Sequence, residues 1–172
     1  MNYGTIKNLD IANGEGIRVS LFVSGCTHHC KNCFNPETWD FNYGQPFTTE
    51  TIQEILRLLE PSYVAGLTIL GGEPLHPNNQ QAVLELVKAV RLKFGKTKTI
   101  WCYTGYTYLK TLCGELGNEI LSNIDVLVDG LFVEELKDIS LKFRGSSNQR
   151  IIDVQKTLQS NTIVLYEKRE ED

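Results

Sequence analysis

Much of what this chain does is bounded by what it lacks. No apolar run reaches the ~18 residues that a membrane-spanning helix needs. The opening residues, Met1-Asn2-Tyr3-Gly4, lack a charged segment followed by an apolar one, so no secretory signal is read and a cytoplasmic protein is expected. Basic charge is not in excess: 17 Lys and Arg face 21 Asp and Glu, a formal net charge of −4, which leaves no footprint for nucleic acid. The five cysteines are an odd number, and without a sign of an oxidising compartment a disulfide framework is not expected. Linkers, repeats and low-complexity stretches are missing as well. A length of 172 residues then reads as one domain, 1–172, with a sizeable core.

What is present is concentrated in one stretch, Cys26-Thr27-His28-His29-Cys30-Lys31-Asn32-Cys33. It places three thiols in a C-x₃-C-x₂-C pattern, and thiolates are soft ligands that a short loop can wrap round one metal centre. A [4Fe–4S] cluster normally takes four thiolates. If only Cys26, Cys30 and Cys33 serve, one iron stays open to a substrate. A structural zinc site is the rival, with His28 or His29 as fourth ligand, although both lie inside the loop, where tetrahedral ligation is cramped. Cys102, within a predicted strand, and Cys113, within a helical segment, read as small apolar residues.

Along the chain, residues 3–12 suggest an edge strand and 13–16 (NGEG) a turn. Residues 17–23 (IRVSLFV) read as a buried strand that runs straight into the cysteine loop. A long loop follows to Pro46, with Trp39 and Phe41 arguing against disorder. A helix is predicted from about Thr49 to Pro61, capped by Thr48 or Thr49, with Thr51-x-x-Glu54 as a capping box. Residues 64–70 form a second strand, ending in Gly71-Gly72-Glu73-Pro74. Asn78 or Asn79 caps the next helix, which ends near Gly95. Residues 99–103 and 125–128 are further strands, separated by a weaker helix over 107–122 that Gly114 and Gly117 interrupt. Residues 148–159 look helical, 162–166 resemble a last strand, and 167–172 form a charged tail.

The alternation implies a largely parallel sheet with outer helices. At 172 residues the chain falls short of the about 250 of a full (β/α)₈ barrel. The fold expected is therefore α/β, a partial (β/α) barrel of about four to six parallel strands with outer helices, and an open flavodoxin-like sheet is the alternative. Strand-end loops converge on one face of such a sheet. Gly71 and Gly72 there let backbone approach a ligand closely, and Glu73 can accept from an ammonium group. Taken alone, the same four residues are a tight surface turn.

Together, C-x₃-C-x₂-C and Gly71-Gly72-Glu73-Pro74 resemble the radical S-adenosylmethionine superfamily. More narrowly, the chain is similar to the activating proteins of anaerobic (class III) ribonucleoside-triphosphate reductases. The similarity covers roughly residues 13–150. It is carried by residues 13–26 (NGEGIRVSLFVSGC), Asn35-x-x-Thr38-Trp39, residues 71–77 (GGEPLHP), Trp101-x-x-Thr104-Gly105-Tyr106, residues 126–130 (VLVDG) and residues 144–149 (RGSSNQ).

The resemblance implies that Cys26, Cys30 and Cys33 hold three irons, and that S-adenosylmethionine chelates the fourth. Reductive cleavage of that cofactor then gives a 5′-deoxyadenosyl radical, which takes a Cα hydrogen from one glycine of the reductase. The implied cofactors are a [4Fe–4S] cluster and S-adenosylmethionine. The implied partners are the glycyl radical subunit of the anaerobic reductase and an electron donor such as a flavodoxin or a thioredoxin-type system. The residue before the last cysteine is aromatic in many members and is Asn32 here. Backbone from Asn32 through Cys33 to Phe34 is then expected to contact the cofactor, with Phe34 either a stacking surface or loop packing.

Asp129 either faces the cofactor or ends its strand. Arg144 and the Ser-Ser-Asn-Gln run bind a carboxylate or ribose, or cap a helix at Asn148. His28 and His29 are expected to face solvent, and Trp39 and Trp101 to pack. Segment 34–47 reads either as an aromatic rim for the partner or as a loop packed on its own domain. The rivals are another small radical S-adenosylmethionine enzyme, such as a pyruvate formate-lyase-type activase or a deazaguanine-forming synthase, and an iron–sulfur electron carrier, which predicts a fourth cluster cysteine.

Overall fold

Residues buried on both sides read as near-continuous apolar runs, and four such runs form the centre of the sheet. The computed structural model describes residues 1–168. In it Ile17–Val23 (β2), Val64–Gly71 (β4), Thr99–Tyr103 (β5) and Val126–Asp129 (β6) lie side by side and parallel. Asn2–Asp10 (β1) pairs antiparallel with β2, Gln45–Pro46 (β3) with β1, and Arg150–Asp153 (β7) with β6. The result is a seven-stranded sheet in the order β3-β1-β2-β4-β5-β6-β7. The four central strands are parallel, as expected of a largely parallel sheet, and the strands added at both edges are antiparallel.

Five α-helices complete the described residues: Thr49–Leu59 (α1), Pro77–Phe94 (α2), Tyr108–Leu112 (α3), Glu115–Asn123 (α4) and Val154–Ser160 (α5). No described helix is long and apolar enough to cross a membrane.

Strand alternation sorts the side chains into two unlike faces. Val19, Leu21 and Val23 of β2, Leu67 and Ile69 of β4, Ile100 and Cys102 of β5, and Leu127 of β6 point one way. There they form one core with Ile55 and Leu59 of α1, Val83, Leu86, Val87 and Val90 of α2, and Ile120 and Leu121 of α4. Each such fully buried aliphatic side chain adds roughly 1.5–3 kcal/mol. The other face carries Phe22, Leu70 and Tyr103, which line a cavity, and Trp101, Val126 and Val128, which pack with Phe143, Ile151 and Tyr166.

At the end of this second face, away from the cysteines, sits Arg18, 1% exposed. Its guanidinium donates to Thr68 Oγ1, Thr99 Oγ1 and the carbonyls of Glu15, Leu67 and Thr99, at 2.7–3.0 Å, and lies over the Trp101 ring. Burial lowers its pKa to about 10, so it stays charged at neutral pH while tying β2, β4 and β5 together.

Several local expectations change. The capping box of α1 is Thr48 with Thr51, not Thr51 with Glu54. His76 caps α2 through its side chain, and Asn79 instead turns inward to donate to the carbonyls of Ser24 and Glu73. Gly114 does break the weak helix, into α3 and α4, but Gly117 lies inside α4, where a Cβ would meet Thr111 O at 2.3 Å. The segment predicted as helix over 148–159 starts as β7, because Arg150–Asp153 completes the sheet beside β6. The helix begins only at Val154, capped by Asp153. Residues 162–166 make an isolated bridge, Ile152 to Leu165, rather than a strand. The tail expected over 167–172 lies outside the described residues from 169 onward.

The turn after β1 depends on Asp10, which accepts from Ser20 Oγ, Ala12 N and Asn13 Nδ2. Burial works to raise its pKa, but these bonds and the Lys7 charge outweigh it and hold the pKa near about 2, below the ordinary 3.8. A depressed carboxylate stabilises the fold fully above its unfolded pKa and loses that contribution as pH falls through the folded one. Asp10→Asn is therefore expected to lower stability by about 1–2 kcal/mol at neutral pH. Urea unfolding of both proteins should show the difference shrinking between pH 4 and pH 2.

Candidate functional site

Ser24-Gly25 carries the chain out of β2 at the sheet's C-terminal end, and the cysteine loop starts there. Two backbone bonds fix its start: Gly25 N donates to Thr38 O and Cys26 N to Trp39 O. A third, Cys33 N to Cys30 O, closes a turn at its far end. Cys26, Cys30 and Cys33 all line one cavity of about 430 Å³, with Gly71, Gly72 and Glu73 from the end of β4 and Thr104 and Gly105 from the end of β5. Phe34, Phe132 and Phe143 supply apolar wall. The convergence of strand ends that a parallel sheet predicts is therefore present.

All five cysteines are free. Burial raises the pKa of Cys26 and of Cys30, so both hold their protons until a cation arrives to displace them. Cys102 is fully buried on the helix side of the sheet, and burial raises its pKa strongly. Cys113 is exposed at the end of α3, and neither of the two lines the cavity. Among the described residues no group of three or more His, Cys, Asp and Glu side chains is gathered tightly enough to hold a single metal ion. A four-iron cluster makes a different demand, since each thiolate binds its own iron. Three soft donors round one cavity, with no fourth beside them, fit that group with one position left open. Trp39, on the same wall, has a buried indole N–H without a partner among the described residues.

Both glycines at the end of β4 have a use that sequence reading did not assign. Gly71 has φ 107°, and a Cβ there would lie 2.7 Å from Val23 N and O. At Gly72 a Cβ would lie 2.7 Å from Gly25 O and 2.9 Å from Thr38 O. The close approach at these positions is therefore between the β4 end and the root of the cysteine loop. Gly72 N and Glu73 N donate to Val23 O and Gly25 O across the same contact.

Glu73 is 1% exposed and its carboxylate meets four donors. Leu75 N and Thr104 Oγ1 reach Oε1 at 2.9 and 2.7 Å, and Gly105 N and His28 Nε2 reach Oε2, both at 2.7 Å. His28 is accordingly not the solvent-facing residue that the sequence suggested. His29 is exposed, stacked on Trp39. Asn32 is exposed with φ 55° and lies outside the cavity lining. Phe34 is 65% exposed, tilted against Phe132, with Lys137 over its ring. Of segment 34–47, Phe41 packs inward on Gly25 and His76, while Tyr43 is 40% exposed.

Asp129 ends its strand rather than lining the cavity: it accepts from Tyr108 N and from both Nε and Nη2 of Arg150. Residues 144–149 tie the β6–β7 connection to itself. Arg144 donates to Gln149 O, Gln149 accepts from Gly145 N and Ser146 N, and Asn148 donates to Leu131 O instead of capping a helix. Trp101 is buried packing, as expected.

Comparison with known proteins adds an observation of a different kind. A family model described as a 4Fe-4S single cluster domain matches residues 12–152. The anaerobic ribonucleoside-triphosphate reductase-activating protein of Pasteurella multocida (strain Pm70) is 44% identical over 153 residues, covering 88% of this chain and 96% of its own. Its Escherichia coli (strain K12) counterpart is 44% identical over 151 residues, with 87% and 96% covered. The protein of the same name from Enterobacteria phage T4 is 42% identical over 153 residues, with 88% and 93% covered.

The Gly72 contacts give a test of the site's construction. Gly72→Ala sets a methyl against two backbone carbonyls and is expected to lower stability by roughly 1–3 kcal/mol. Iron retained after anaerobic reconstitution should fall with it, because the displaced element is the root of the cysteine loop. Chemical denaturation and iron analysis of the variant measure the two effects.

Proposed function

The chain belongs to the family of anaerobic ribonucleoside-triphosphate reductase-activating proteins, and we propose that Cys26, Cys30 and Cys33 are the thiolates that carry its activity. It is an activating enzyme of the radical S-adenosylmethionine type, with a [4Fe–4S] cluster and S-adenosylmethionine as cofactors, and it generates a glycyl radical on the anaerobic reductase. The observation that carries the reading is the placement of three thiols, and three only, on the wall of one strand-end cavity. When bound, the cluster and S-adenosylmethionine supply an electron transfer and a radical strong enough to take a Cα hydrogen from glycine.

The protein's own residues bind, orient and exclude water. Cys26, Cys30 and Cys33 would each hold one iron of the cluster. Cys33, Phe34, Gly71, Gly72 and Glu73 line the cavity and their main chain would border S-adenosylmethionine, with Asn32 adjoining them just outside the lining, and the exposed Phe34 ring would offer a face for its adenine. Phe132 and Phe143 keep the cavity wall apolar, which protects a reactive species from water. The open iron position separates this reading from an electron carrier, since neither Cys102 nor Cys113 lines the cavity to supply a fourth thiolate.

The sheet is read as a partial (β/α) barrel, supported by its four parallel strands with helices packed on one face and the cavity on the other. We take residues 1–172 as one radical S-adenosylmethionine domain with its core at about 13–150. The partner is the glycyl radical subunit of the reductase, and the electron donor a flavodoxin or thioredoxin-type system. A cytoplasmic setting suits five free thiols, which a reducing compartment preserves.

Two measurements test the proposal. Ala at Cys26, Cys30 or Cys33 should prevent assembly of a full [4Fe–4S] cluster, whereas Cys102→Ala and Cys113→Ala keep iron content and activity. A full cluster with normal S-adenosylmethionine cleavage in any of the first three would defeat the ligand assignment. Under anaerobic, reducing conditions the protein with S-adenosylmethionine and the reductase should give a glycyl radical signal, lost when the reductase's radical-site glycine is Ala. Turnover of a small molecule in place of that radical would favour a biosynthetic radical enzyme.

A further inference from the structure

His28 lies between two of the three thiols and has no ligating task, yet its ring is held in place. Nε2 is 2.7 Å from Glu73 Oε2, and the ring sits edge-on to Tyr106 with 4.6 Å between centroids. The side chain is 14% exposed. Gly105 leaves room for it, since a Cβ there would lie 2.6 Å from the imidazole. A carboxylate only accepts, so Nε2 carries the hydrogen.

The four donors to Glu73 differ in origin. Leu75 N belongs to the turn after β4, and Thr104 Oγ1 and Gly105 N to the turn after β5. Only His28 comes from the cysteine loop. The backbone bonds of Gly25 and Cys26 hold the beginning of that loop, and the Cys33–Cys30 bond stays within it. The imidazole joins the middle of the loop to the buried carboxylate, beside a side-chain bond of Thr27 to Tyr106 and the stacking of His29 on Trp39. Without the imidazole the Glu73 carboxylate would keep its hold on the ends of β4 and β5 and lose its bond to the middle of the loop, while Glu73 N still meets the loop's root at Gly25 O.

We propose that His28 is a positioning residue: by donating to Glu73 it fastens the middle of the cysteine loop to the ends of β4 and β5, and it sets the loop in its ligating shape before any iron is present. This rests on the reading of Cys26, Cys30 and Cys33 as cluster ligands. It also gives Glu73 a task other than receiving an ammonium group directly. Its four acceptor directions are taken by the protein, and its effect on a bound ligand runs through the loops it joins.

The test uses three full-length variants. His28→Ala removes donor and ring; His28→Phe keeps a ring for Tyr106 but no donor; His28→Gln keeps a donor on a flexible arm. Amide hydrogen exchange is followed in the iron-free protein over residues 26–33, with β2 and β4 as internal reference. Loss of a buried charge-assisted bond should speed loop exchange by roughly tenfold or more in the Ala and Phe variants, with the reference strands unchanged and Gln returning toward wild type. After anaerobic reconstitution, Ala and Phe should lose iron to a chelator faster than wild type, and Gln should recover. Loop exchange in all three variants equal to wild type overturns the proposal. So does a rise that includes β2 and β4 equally, since His28 would then support the whole fold. A wild-type protein that assembles no cluster overturns the ligand reading instead, and the exchange result on the iron-free protein stands apart from it.

Discussion

Removing a carboxylate from water costs several kcal/mol unless its lone pairs are met. Glu73 satisfies that condition with four donors drawn from three different loops. The requirement acts as a geometric constraint: the ends of β2, β4 and β5 must arrive at one point for the buried charge to be tolerated at all. Asn79 reinforces the convergence from α2, donating to the carbonyls of Ser24 and Glu73. The two glycines before Glu73 let the loops come that close. The loops that leave β2, β4 and β5 on the thiol side of the cavity are positioned relative to this carboxylate.

Beneath it, the sheet separates two environments. Helices cover one face with one continuous apolar core. The other face closes at one end by packing Arg18, Trp101 and Tyr166 against each other and at the other opens into the thiol-lined cavity. A buried guanidinium with every contact satisfied holds that closed end without needing a helix.

Legibility in the sequence followed the range of the interaction responsible. The thiol spacing, the four central strands and the helix break at Gly114 are local patterns, and each stood out along the chain. Residues 3–12 and 13–16 were legible as an edge strand and its turn, and β1 pairs with β2 directly beyond them, whereas β7 was hidden because it is defined by its pairing with β6 across a long connection. Residues 150–153 carry helix-compatible residues and become a strand only because β6 leaves an edge open to them. His28 was misread for the same kind of reason. A histidine between two cysteines has no sequence signal for a carboxylate 45 positions later. Asn79 looked like a helix cap, and only the fold shows that His76 has taken that task. Gly72 looked as though it made room for a ligand, whereas its nearest demand is from Gly25 and Thr38.

The two faces of β5 differ by one residue of register. Tyr103 meets the cavity and Cys102 meets the helices, and a one-residue slip turns every side chain of a strand over. A single insertion or deletion within β5 would therefore point a thiol at the chamber that already holds three. The number of sulfurs available there is set by the parity of a position along a strand as much as by how many cysteines the chain encodes.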